Sequence, residues 1–170
     1  ADPPYLGCCS LYGHRHGGGF GCWNDLANHQ LLIERLTREF PDGWALSASS
    51  VSLRKLLPLC PDDIRVGVWA KSFCAFKKGV RPCYAWEPVI YRGGRNVKHP
   101  PPAKGGKQTT PKDFIVCPIT LKKGLTGAKP GAVCDWVLDL LNVQSGDEVV
   151  DIFPGTGAMG AAVDRRKRAA

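Results

Sequence analysis

The chain has no apolar run near the roughly 18 residues that a membrane-spanning helix needs, so such a span is excluded. Its opening shows no charged-then-apolar leader, so secretion is not expected and a cytoplasmic location is. No repeat period is visible, which excludes solenoids and fibres; the 20 glycines and 14 prolines point to several loops instead. None of the 8 cysteines belongs to a Cys-x-x-Cys pair. They read as reduced, buried thiols. Cys8, Cys9, His14, His16 and Cys22 cluster in sequence, but their spacing matches no zinc knuckle, and no metal site is expected.

Acidic residues are almost missing from one stretch. Between Arg92 and Lys129 stand nine basic residues and a single acid, Asp113, which accounts for the whole formal charge of +8. Positive charge so concentrated suits a polyanion, most simply nucleic acid; the alternative is a solvated basic loop. What remains is an ordinary globular balance. Of 170 residues, 44% are hydrophobic and 22% charged, enough for one domain with a sizeable core.

Periodicity predicts a helix over 24–40, from Leu26, Ile33, Leu36 and Phe40, with Asn24 or Asp25 as cap and Pro41-Asp42-Gly43 as stop. Strands are expected over 44–48, 64–70, 84–91 and 114–117; Pro88 suggests an edge or a bulge in the third. Ser49 or Ser50 can cap a short helix ending before Pro58. Val133, Trp136, Val137, Leu140 and Leu141 predict an amphipathic helix over 131–142. A buried strand is expected over 148–153, then a glycine turn and a helical tail. Strands alternating with helices indicate an α/β sandwich with a mostly parallel sheet.

Two motifs carry chemistry. The first is Asp151-Ile152-Phe153-Pro154-Gly155-Thr156-Gly157, a strand, a glycine turn and a helix start. Such turns let backbone approach a ligand closely, and nicotinamide, flavin and S-adenosylmethionine sites all use them; a tight turn with no ligand is the plain alternative. The second is Asp2-Pro3-Pro4-Tyr5. Its prolines stiffen a turn that holds a carboxylate and a carbonyl beside an aromatic ring. Two acceptors next to a flat face suit the exocyclic amine of a planar base, although a lone tetrapeptide can also be ordinary loop.

Together these motifs resemble the amino-group (adenine-N6 or cytosine-N4) DNA methyltransferases. Asp2-Pro3-Pro4-Tyr5 is similar to their catalytic motif, and the glycine turn to their S-adenosylmethionine motif. Lys129-Pro130 resembles the element preceding that motif in permuted members. The order resembles the beta-type arrangement, and Trp86-Glu87-Pro88-Val89-Ile90-Tyr91 a late strand of phage and actinobacterial relatives.

The resemblance implies a three-layer αβα, Rossmann-like fold, divided into a catalytic half (1–91), a basic target-recognition segment (92–118) and a cofactor half (119–170). It is expected to be incomplete at both ends, since no strand precedes Asp2 and no ribose-holding acid follows Gly160. By the same resemblance Asp2 and the Pro3 carbonyl accept the target amine, with Pro4 shaping the turn, and Tyr5 stacks on an everted base, adenine being favoured. Asp151, Phe153, Pro154, Gly155, Thr156, Gly157, Thr126, Lys129 and Pro130 would hold S-adenosylmethionine. Arg92, Arg95, Lys98, Lys104 and Lys107 would contact double-stranded DNA. Restriction-modification, a bacterial or phage-infected cytoplasm and a homodimer fit the same picture. The rival readings are a nucleic-acid-binding homologue without transfer activity and a nicotinamide-binding domain; the latter needs an acid about 20 residues past the turn.

Overall fold

The helix expected over 24–40 forms as α1 (Leu26–Glu39) in the computed structural model, which describes residues 1–8, 21–73, 78–95, 110–120 and 127–169. The Asp25 carboxylate caps it by accepting the Ala27 N–H (3.0 Å), and Leu32, Ile33 and Leu36 form its buried stripe. Strand β1 (Gly43–Ser47) follows, then the short α2 (Leu53–Leu56), whose first turn is tied by the Ser49 hydroxyl to Ser52. A 3-10 turn (Leu57–Leu59) takes up Pro58. Next come β2 (Arg65–Ala70), β3 (Trp86–Gly93), β4 (Phe114–Val116), α3 (Gly131–Leu140) and α4 (Ala158–Arg168).

The sheet is mixed, which corrects the expectation of a mostly parallel one. Its order is β1-β3-β2-β4. Strand β3 runs antiparallel to both neighbours, so β1, β2 and β4 share one direction and β3 opposes them. Pro88 therefore lies in an internal strand, not an edge. It is tolerated because Val68, its partner in β2, sends its own N–H the other way, to Asp113 O (2.9 Å). On the opposite side β1 has ended: its ladder stops at Ser47↔Val89, and Ala48 N–H closes onto Pro88 O (3.1 Å). No ladder bond asks Pro88 for a proton.

Helices cover both faces, giving an αβα layering. On one face α1 and α2 pack on Trp44, Leu46 and Ile90; on the other α3 places Val133, Trp136 and Val137 against Trp69 and Val89. The Trp136 ring lies where a Cβ on Gly67 would be, 2.9 Å away, so glycine in β2 admits the indole. Helix α4 packs on α3 through Ala162, Leu138 and Cys134, with Arg165 bridging to Asp135 (2.9 Å).

The segment 148–153 is not a strand. No described strand forms a ladder with it, so its backbone groups are left to turns and solvent. A full doubly wound parallel sheet is thus not present among the described residues. No described helix is long and apolar enough to cross a membrane.

Candidate functional site

The carboxyl ends of β1, β2 and β4 and the amino end of β3 make one rim of the sheet. Ala1 joins that rim from outside β1: its nitrogen donates to Ala45 O (2.8 Å), and Ser47 N–H donates to Ala1 O (3.0 Å). This is the bond pattern of a parallel bridge. Asp2 consequently emerges at the end of a strand-like step. Pro3 and Pro4 are buried, and the turn after them is closed by Cys8 N–H to Tyr5 O (2.8 Å) and Gly7 N–H to Asn24 Oδ1 (3.1 Å).

Asp2 and Tyr5 enter a charged network. The Lys129 ammonium donates to both Asp2 carboxylate oxygens (3.0 and 2.9 Å) and to the Tyr5 hydroxyl (2.8 Å), and lies over the Tyr5 ring. The Tyr5 hydroxyl donates to Glu87 Oε2 (2.7 Å). Lys71 donates to the other Glu87 oxygen (2.6 Å), and Lys129 stands 3.4 Å from Glu87. Two cations thus meet two anions in a largely dry place. Burial pushes the Glu87 carboxyl up, but Lys129, then Lys71 and the Tyr5 hydroxyl outweigh it and hold its pKa below the ordinary carboxylate value.

Lys71 and Glu87 were not among the candidate residues. Cross-strand pairing of Trp69 with Glu87 and the step from β2 to Lys71 bring them together. The sequence held one sign of it, since Glu87 is the single acid between Asp63 and Asp113.

The glycine turn shares a cavity with Asp2 and Lys129 of this network; Pro3, Tyr5, Lys71 and Glu87 are not among its lining residues. Asp151 accepts the Phe153 N–H (3.1 Å), and Phe153 packs edge-on against Trp23. Gly157 N–H closes onto Pro154 O (2.7 Å) and caps α4. Gly155 and Gly157 have φ of 45° and 75°, a left-handed conformation that side chains disfavour. A cavity of about 1060 Å³ lies between the ends of the chain. Asp2, Pro4 and Lys129 line one side; Asp151, Phe153, Pro154, Gly155 and Thr156 line another. Pro130 starts α3 just behind Lys129, its carbonyl accepting the Val133 and Cys134 N–H groups (3.0 and 3.2 Å).

The remaining candidates do not join this network. Thr126, Lys98, Lys104 and Lys107 lie outside the described residues, as do Cys9, His14 and His16 of the cysteine–histidine cluster. Arg92 pairs with Asp63 (2.6 Å), and Arg95 is paired with Asp147. Arg92 sits at the far end of β3, five residue steps or roughly 17 Å from Glu87, and Arg95 follows that end, where it and Asp147 line the far part of the same cavity. Cys134 lines the cavity but is buried, and that burial pushes its thiol up to about 11, away from the reactive thiolate. Among the described residues no group of three or more His, Cys, Asp or Glu gathers as a metal site.

The fold is similar to a methyltransferase fold. The crystal structure of the M1.HpyAVI–SAM complex superposes over 81% of this chain and 71% of its own, with a TM-score of 0.55 and 15% identity. No family model matches the sequence, and no curated protein matches it.

Proposed function

We propose that this protein is an S-adenosylmethionine-dependent methyltransferase acting on the exocyclic amine of a nucleic-acid base, with adenine N6 in double-stranded DNA as the target. The observation that carries the reading is one cavity lined both by Asp2 and Pro4 and by the Asp151–Thr156 turn. The complex of M1.HpyAVI with SAM, similar in fold, supports the choice of cofactor. The beta-type order of motifs and the division at 92 and 118 are carried over from the sequence resemblance.

The residues suit such a cofactor. The cavity is at the upper end of the range for small-molecule sites. Gly155 and Gly157 place no Cβ in the turn, and the α4 amino terminus opens beside it. Asp151 and Phe153 offer a carboxylate and an aromatic face, with Lys129 opposite. When bound, S-adenosylmethionine supplies an activated methyl group.

This chain's own residues then orient the acceptor. The target amine replaces Lys129 on the Asp2 carboxylate and donates its second proton to the Pro3 carbonyl. Held that way, its lone pair leaves conjugation with the ring and is aimed into the cavity. Tyr5, fixed at its hydroxyl by Glu87, offers its ring to the base. Catalysis is then orientation and electrostatics, with no covalent enzyme intermediate. The basic segment 92–118 supplies phosphate contacts from Lys98, Lys104 and Lys107.

Calorimetric titration with S-adenosylmethionine tests this. Saturable binding is expected, and absence of binding overturns the reading. One observation favours a second reading, a nucleic-acid-binding homologue without transfer: Lys129 occupies both oxygens of Asp2. That protein binds DNA and gives no heat with the cofactor.

A further inference from the structure

The connection from β2 to β3 rises from the same rim as Asp2 and Glu87, and its chemistry belongs to neither motif. Over 71–86 the sequence has four basic residues and no acid. Three aromatic side chains there face solvent: Phe73 is 52% exposed, Tyr84 44% and Trp86 38%. Exposed rings of this size are not explained by the core, which is complete without them. Tyr84, Trp86 and Arg81 surround one hollow of about 400 Å³, and Lys78 is exposed nearby in the same connection. The two arms of the connection are held together at its base by Lys71 N–H to Ala85 O (2.8 Å) and by the Ala70↔Trp86 pair.

We propose that this surface is a stacking platform for unpaired bases of the nucleic-acid strand that carries the target. The inference rests on the function proposed above and extends it, naming where the flanking nucleotides lie. Flat rings interleaved with cations are what unpaired nucleotides need: each base has a face to stack, and each linkage a charge to neutralise. Lys71 is held by Glu87, which leaves Lys78 and Arg81 as the described cations there for phosphate, with no acid among residues 71–86 beside them. Position supports it as well. Trp86 and Glu87 are consecutive in β3, so their side chains leave opposite faces of the sheet at the one rim that also carries Asp2, and a strand on the platform reaches the Tyr5 side by crossing that rim. Eversion of a base leaves its neighbours partly unstacked, and the rings at 84 and 86 can replace the lost stacking.

Fluorescence anisotropy with labelled oligothymidylate tests the platform without cofactor or turnover. Trp86→Ala and Tyr84→Ala are each expected to weaken binding by about fivefold to hundredfold, the range for one lost base–aromatic contact, while leaving the salt slope unchanged. Arg81→Ala is expected to reduce the slope of log K against log salt by roughly 0.7, as one fewer phosphate is neutralised. Trp86→Phe should restore most of the binding lost in Trp86→Ala, which separates stacking from damage to the fold. Wild-type affinity in both Trp86→Ala and Tyr84→Ala overturns the proposal. The outcome is separable from the cofactor reading. Oligonucleotide binding that depends on Trp86, in a protein giving no heat with S-adenosylmethionine, sustains the platform and sinks the methyltransferase; methylation of DNA undiminished by both substitutions does the reverse.

Discussion

Glu87→Gln is the perturbation whose cost can be worked from the structure. The substitution keeps the side chain's shape and leaves Lys71 and Lys129 facing one anion instead of two. Those ammonium groups are 12% and 14% exposed, and Glu87 is 19% exposed, so water replaces little of the lost charge. Removing one partner of a buried ion pair costs about 3–5 kcal/mol. The residual exposure and the remaining Asp2 carboxylate reduce this to roughly 2–3 kcal/mol. For a chain of this size each kcal/mol moves Tm by about 2–4 °C, so a fall of roughly 5–10 °C is expected by circular dichroism. Adding Lys71→Met restores the balance, and the double variant should lose less than the two single losses combined. The pH dependence has a definite sign. A carboxyl held below its unfolded value contributes stability above that value, roughly pH 4.3, and loses it as pH falls through the folded value. The gap between wild type and Glu87→Gln should therefore be full near neutrality and close in acid. A Tm unchanged near neutral pH, or a gap that widens in acid, refutes the reasoning.

Asp2→Ala should abolish methyl transfer and leave the heat of cofactor binding largely intact; near-full turnover removes Asp2 from its assigned role. Gly157→Ala meets no atom within 4 Å, so its cost is conformational alone, about 1–2 kcal/mol, read as a lower Tm together with weaker cofactor binding. Cys134, with its thiol pushed up to about 11, should be the last described cysteine to react with iodoacetamide near pH 8, where roughly a thousandth is ionised; early labelling by mass spectrometry contradicts its burial.

The helices were legible because their signals are local. Leu32, Ile33 and Leu36 repeat at helical spacing behind Asp25, and Trp136 and Val137 do the same behind Pro130. The direction of β3 was not, since an alternating strand reads alike whichever way it runs, and pairing alone decides it. The segment 148–153 has the composition of a strand, but composition cannot supply a ladder, and no described strand pairs with it. Asp2 and the glycine turn announced themselves through short motifs. Glu87 and Lys71 did not, because their meeting depends on the register Trp69↔Glu87, which no window of sequence contains. The basic segment drew attention by its charge, yet Arg92 and Arg95 are spent on Asp63 and Asp147 at the far rim, while the aromatic connection over 71–86 stands at the near one.

The most direct trial is to incubate the protein with methyl-labelled S-adenosylmethionine and mixed-sequence duplex DNA, digest the DNA, and identify the labelled nucleoside. The account predicts label in N6-methyladenosine of the deoxy series, lost in Asp2→Ala. Label on cytosine N4 would contradict the adenine assignment, and bound cofactor with no labelled nucleoside would contradict the transfer itself.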